Sequence, residues 1–108
     1  MKRYRVLIHP DAEAELDAAY RHIAEDSPER AARWRQTLLR KTQSLKTLPH
    51  RCPLAPESRI IGREVRHLIC GVYRVLFVLE AETIIVVHVR HGARRPIGTA
   101  MPRRDADD

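Results

Sequence analysis

The chain has 108 residues, 44% of them hydrophobic and 31% charged, which is enough apolar material for one core and excludes a mainly disordered polymer. Twenty Lys and Arg against 14 Asp and Glu give a net charge of +6, so partners that carry negative charge, either nucleic acid or an acidic protein segment, are favoured. No run approaches the ~20 apolar residues a membrane helix needs, and Cys52 and Cys70 make neither a disulfide framework nor a zinc site of paired short spacing.

Seventeen of the 20 basic residues are Arg, whose planar guanidinium suits bidentate recognition of phosphate or carboxylate; twelve alanines beside them leave codon usage as the alternative cause. Met1 leads into a strand-like segment without a signal-peptide profile, so a cytoplasmic protein with reduced thiols is expected. A single domain over 1–98 with a flexible tail over 99–108 is the expected organisation.

In chain order, Tyr4 to His9 is β-branched and aromatic enough for a strand, and Pro10 ends it at a position that also opens helices. From Asp11 to about Asp26, Ala12, Leu16, Ala19, Tyr20, Ile23 and Ala24 recur on one face of a 3.6-residue period, which predicts a first helix. Ser27-Pro28-Glu29 stops it and starts the next: Ser caps, Pro fits the first helical position, and Glu suits the positive end of the dipole. The second helix should bury Ala31, Trp34, Leu38, Thr42, Leu45 and Leu48, with Pro49 ending it.

So short a link makes the two helices a hairpin. Six acids on the first arm (Asp11, Glu13, Glu15, Asp17, Glu25, Asp26) face six bases on the second (Arg30, Arg33, Arg35, Arg40, Lys41, Lys46). Each surface pair is worth only ~0–1 kcal/mol, so packing must hold the hairpin while charge selects register and partners.

Pro49 to about Arg59 reads as an irregular loop. Val65 to Cys70, Tyr73 to Leu79 and Thr83 to about Arg90 then follow as strands, separated by Gly71-Val72 and Glu80-Ala81-Glu82, links short enough for antiparallel hairpins. The run from Ile84 to Val89 is apolar on both faces and belongs in the middle of the sheet.

These pieces resemble the RelE/ParE superfamily of type II toxins over roughly Tyr4 to Pro96. Pro10-x-Ala12-x-x-x-Leu16, Ser27-Pro28-x-x-Ala31 and Leu45-x-x-Leu48-Pro49 look like the helical hairpin of ParE-type members. Arg63-Glu64-Val65-Arg66, Tyr73 to Val78 and Val87-His88-Val89-Arg90-His91-Gly92-Ala93-Arg94-Arg95-Pro96 look like its sheet, the last run being the most specific. The resemblance implies an α+β fold of order β-α-α-β-β-β, with the hairpin packed on a small, mainly antiparallel sheet. It also implies a plasmid-stabilisation toxin neutralised by a cognate antitoxin with an acidic C-terminal segment.

For chemistry, Arg74 stands out in a strand of Val, Leu and Phe, because a buried guanidinium needs a partner. With a two-residue turn at Ala81-Glu82, Arg74 falls opposite Val89, and His91 lies diagonally on the same face. Arg94 follows past the bend at Gly92, so an anion site of Arg74, His91 and Arg94 is expected, with Arg66 and Arg90 as further target-binding candidates. The alternative is that these are solvated charges or pair with Glu80 and Glu64.

Arg74 and Arg94 match phosphate-binding arginines of the ribonuclease branch, which cleaves mRNA on the ribosome. Two lysines of that branch are replaced by Val65 and His67, and Ala100 stands near its tyrosine, so only His91 and His67 remain for acid–base work. Those departures favour the ParE branch, linked to DNA gyrase; a non-toxic nucleic-acid-binding module is the third possibility. Arg33, Arg40 and Lys41 are the candidates for antitoxin contact. His88-x-x-His91 points to opposite faces of a strand and does not make a metal pair; no metal and no cofactor is expected. Trp34 shares the core spacing of Leu38 and Leu45, and both cysteines lack the neighbours that activate a nucleophile.

Overall fold

A computed structural model of the chain describes residues 2–93. Strand β1 (Arg5–Ile8) leads into helix α1 (Pro10–Asp26), which is capped by His9: its Nδ1 accepts the Asp11 N–H at 3.0 Å. Ser27 both closes α1 and opens α2 (Pro28–Gln43), its Oγ accepting the Arg30 N–H at 3.1 Å. A short helix α3 (Glu57–Ile61) precedes the strands β2 (Arg66–Cys70), β3 (Tyr73–Glu80) and β4 (Thr83–His91).

The sheet order is β1-β4-β3-β2, with β1 parallel to β4 and the other two pairings antiparallel. The three-strand meander follows the sequence expectation, and with β1 added beside the last strand β4 is central, in keeping with its two apolar faces.

The helical hairpin covers one face of the sheet. Ala12 and Leu16 of α1 and Leu38 of α2 meet Tyr73, Val75 and Phe77 of β3 and Ile84, Val86 and Val89 of β4 in the main core, with Leu45 beside them. Trp34 is half-buried against it. A smaller cluster of Ala55, Val65, Leu76 and Val78 lies on the opposite face, under the segment that carries α3. The opposite charges of the two helical arms meet at Asp17 and Arg35, 3.7 Å apart and half-exposed, a pair that adds at most ~1 kcal/mol to the packing.

Three expectations need correction. The second helix ends at Gln43, not at Pro49; a 3₁₀ turn, Ser44–Lys46, replaces its last turn. Leu48 is consequently 60% exposed rather than part of the buried stripe, and it takes a left-handed conformation (φ 51°, ψ 50°) that avoids the clash a helical residue would make with Pro49. The stretch from Pro49 to Arg59 is not wholly irregular: it holds a 3₁₀ turn, Pro49–Arg51, and the start of α3, which stops at Gly62 (φ 85°).

The third correction concerns register. The Ala81-Glu82 turn is two residues long, with Glu80 opposite Thr83, but the pairing shifts by one between Leu76 and Phe77. Phe77 faces Val86 while Leu76 faces His88, so Val87 is the extra residue of a β-bulge. Beyond it every β4 residue is displaced by one position. Arg74 lies opposite Arg90, not Val89, and His91 lies opposite Tyr73.

Candidate functional site

A one-residue slip moves a side chain to the other face of a sheet. The bulge thus sends His91 to the helix-covered face, where its ring meets Tyr73 edge-on with centroids 5.2 Å apart. Arg74 and Arg90 point to the opposite face, each 8% exposed. The expected grouping of Arg74 with His91 is therefore not formed, and Arg94 lies outside the described residues.

What Arg74 meets instead is Glu57, on α3. Its NH1 donates to Oε1 at 3.1 Å and its NH2 to Oε2 at 2.7 Å, a two-pronged pair around a carboxylate that is 0% exposed. Arg74 uses neither acid named as an alternative partner: Glu80 pairs with Arg63 at 3.4 Å, and Glu64 with Arg66, itself one of the candidates, at 2.7 Å. The principle that a buried guanidinium must find a carboxylate held, while the acid that satisfies it comes from the stretch read as loop.

His67, on β2 beside Arg74, completes the cluster. Its Nδ1 lies 3.1 Å from Arg74 NH1 and accepts from it, so in the neutral ring the proton sits on Nε2. Burial, then the adjacent Arg74 charge, lowers the His67 pKa from its ordinary 6.5, with Glu57 opposing. Arg66 is tied down as well, donating to the Cys52 carbonyl at 2.6 Å as well as to Glu64. Glu57, His67 and Arg74, from α3, β2 and β3, are thereby locked into one polar network on the face away from the hairpin, while Arg66 is held separately.

On α2, Arg33, Arg40 and Lys41 are exposed. Arg33 and Arg40 are seven residues apart and so share a face, opposite the buried Ala31 and Leu38. Burial raises the Cys52 thiol above its ordinary value of 9.0 despite the nearby Arg51 and Arg66, and Cys70 is buried too. Among the described residues no group of three or more His, Cys, Asp or Glu could hold a metal ion, and no helix is long and apolar enough to cross a membrane.

Sequence reasoning missed Glu57, although Pro56-Glu57 and Gly62 carry the start and stop signals of a short helix. It also missed Glu15, whose Oε1 accepts the Val89 N–H at 2.9 Å and lies 3.2 Å from His88 Nδ1. That carboxylate satisfies β4 just past the end of β1, where the strand loses its parallel neighbour.

The family described as the ParE toxin of type II toxin–antitoxin systems, parDE, matches residues 6–96. The chain belongs to this family. No curated protein matches it. Among solved structures, one described as the chromosomal ParDE toxin–antitoxin system from P. aeruginosa is 21% identical and superposes with a TM-score of 0.67, covering 82% of this chain and 96% of that one. At that identity the likeness is one of fold. Membership in the ParE family, within the RelE/ParE superfamily, agrees with the β-α-α-β-β-β order and with the helical hairpin read from the sequence.

Proposed function

We propose that this ParE-family chain arrests growth by acting on DNA gyrase, and that a cognate antitoxin with an acidic C-terminal segment neutralises it. The observation that carries this reading is the family match across residues 6–96. The geometry favours it over mRNA cleavage. A ribonuclease of the related branch would need Arg74 presented to a phosphate beside an acid–base group, whereas Arg74 is held by Glu57, His91 is on the other face, and His67 is spent as an acceptor for Arg74.

Target contact is assigned to Arg66, Arg90 and His91, together with Arg94, which lies outside the described residues; Arg74, held by Glu57, is assigned to the fold. The exposed basic face of α2, with Arg33, Arg40 and Lys41, is assigned to the antitoxin. An acidic, disordered segment folding there would associate fast by electrostatic steering and be retained by apolar burial.

The test is induction of the gene with and without its upstream neighbour. Growth arrest with DNA-damage signalling, relieved by the neighbour, is expected. Arrest accompanied by mRNA cleavage without DNA damage would transfer the chain to the ribonuclease reading, and normal growth would leave it a non-toxic binding module.

A further inference from the structure

The charge of this chain is unevenly placed. Between Glu29 and Glu57 there are seven Lys and Arg and no Asp or Glu, against a net charge of +6 for the whole chain, so the remainder is close to neutral. This stretch is α2 and the turns that follow it. Among the described residues Arg35 meets a carboxylate there, Asp17 at 3.7 Å, whereas Arg30, Arg33, Arg40, Lys41, Lys46 and Arg51 form no ion pair. Arg63, Arg66 and Arg74, on the other side of the molecule, each have a carboxylate partner.

The helix lines these cations up. At about 100° per residue, Arg30, Arg33, Arg40, Lys41 and Ser44 fall within about 100° of helix surface, opposite the buried Ala31, Leu38 and Thr42. Ser44 brings in a further charge: its Oγ accepts from Arg51 NH2 at 2.8 Å, while Arg51 NH1 donates to the Thr47 and Leu48 carbonyls at 2.8 and 3.0 Å. That guanidinium is exposed yet already fixed, so it loses little freedom on meeting an anion. From Arg30 to Ser44 the stripe runs about 21 Å at 1.5 Å per residue, the length of about six phosphates along one strand of a duplex.

The rest of the stripe narrows the choice of polyanion. None of the large exposed hydrophobic residues lies on α2, whereas protein partners are held by an apolar patch at the centre of the contact. Its remaining positions are Thr37 and Gln36, and it offers no aromatic ring for base stacking: Trp34 packs on the core and Tyr20 lies under Arg35. Single strands are gripped largely by such stacking. A rigid row of unpaired cations with small polar neighbours suits the phosphate backbone of a double helix, without reading of bases.

We infer that the outer face of α2 is a sequence-independent binding surface for duplex DNA, with Arg30, Arg33, Arg40, Lys41 and Arg51 each set against a phosphate. An antitoxin segment on Arg33, Arg40 and Lys41 excludes the duplex from the same residues, and only this consequence rests on the reading above.

The test is fluorescence anisotropy of a labelled 20-base-pair duplex of arbitrary sequence titrated with the full chain. Binding with a Kd of about 10 µM at 50 mM NaCl is expected, with log K falling against log salt at a slope of about −4 for five phosphate contacts. The triple variant Arg33→Gln, Arg40→Gln, Lys41→Gln should bind at least about tenfold more weakly and with a slope shallower by about 3. The variant Arg5→Gln, Arg59→Gln, Arg63→Gln removes the same charge from exposed positions off this helix and should lose less than about threefold. Both are checked for native circular dichroism. A 20-nucleotide single strand and a 20-residue polyglutamate should each bind at least about fivefold more weakly than the duplex. No binding up to about 100 µM, an equal loss in the two variants, or a single strand or polyglutamate bound as tightly as the duplex overturns the inference. Since gyrase takes no part in the assay, its failure and the failure of the gyrase reading are separate results.

Discussion

Replacing Glu57 by Gln removes the charge that faces Arg74 and leaves its shape. Arg74 is only 8% exposed and Glu57 0%, so neither can recover its hydration when the other is lost. Breaking a buried pair from one side costs about 3–5 kcal/mol, because an uncompensated charge stays in the interior. Here the loss also leaves Arg74 facing Arg90 across the strand pair with less negative charge nearby. For comparison, Arg63→Ala breaks a half-exposed pair to Glu80 and should cost at most about 1 kcal/mol. With a urea slope of about 2 kcal/mol/M, a 4 kcal/mol loss lowers the unfolding midpoint by about 2 M, which a domain stable by about 5–15 kcal/mol can show without collapsing. Arg74→Met should behave alike, and the double change Glu57→Leu with Arg74→Met should return to within about 1–2 kcal/mol of the parent, since apolar residues replace the pair. Urea unfolding of the four purified variants decides it. Single losses below about 1 kcal/mol that simply add in the double variant would show that the two side chains do not act as a buried pair.

Other outcomes follow from the same geometry. His67 has a lowered pKa in the fold, so the unfolded chain takes up its proton first; stability should be full above pH 6.5 and fall as pH drops below it, and His67→Gln should flatten that part of the urea-midpoint profile. Ser27→Ala deletes the cap on α2 and should lower stability by about 1 kcal/mol in the same assay, with no change in slope. Burial and a raised pKa keep the Cys52 thiol protonated, so in native protein it should react with a thiol reagent only at the rate of transient opening, and promptly once urea unfolds the chain; prompt reaction under native conditions would contradict the burial.

Much of this architecture could be read from the chain because both periods are strongly written. Ala12, Leu16, Ala31 and Leu38 repeat at helical spacing, and the β-branched runs are punctuated by Gly71-Val72 and Ala81-Glu82 at turn spacing. The bulge was not readable. Ile84-Ile85-Val86-Val87 is apolar at every position, so no alternation marks Val87 as the extra residue, and one unmarked residue was enough to exchange Val89 for Arg90 opposite Arg74. The same slip separated Arg74 from His91. Glu57 was hidden for a different reason: α3 has five residues, too few to show a period, and an isolated Glu in a proline-rich stretch acquires its meaning only from Arg74, 17 residues later and on another element. Leu48 misled because a helical stripe continues on paper past the point where Pro49 prevents the last turn.

The measurement that bears most directly on the central claim is gyrase supercoiling of relaxed plasmid in the presence of the purified chain. The account predicts concentration-dependent inhibition with accumulation of cleaved plasmid, abolished when the neighbouring gene product is added. It also predicts that the Glu57→Leu, Arg74→Met double variant keeps inhibiting, because that pair holds the fold together. Undisturbed supercoiling at saturating protein, with cleavage of ribosome-bound mRNA in a parallel reaction, would contradict the account.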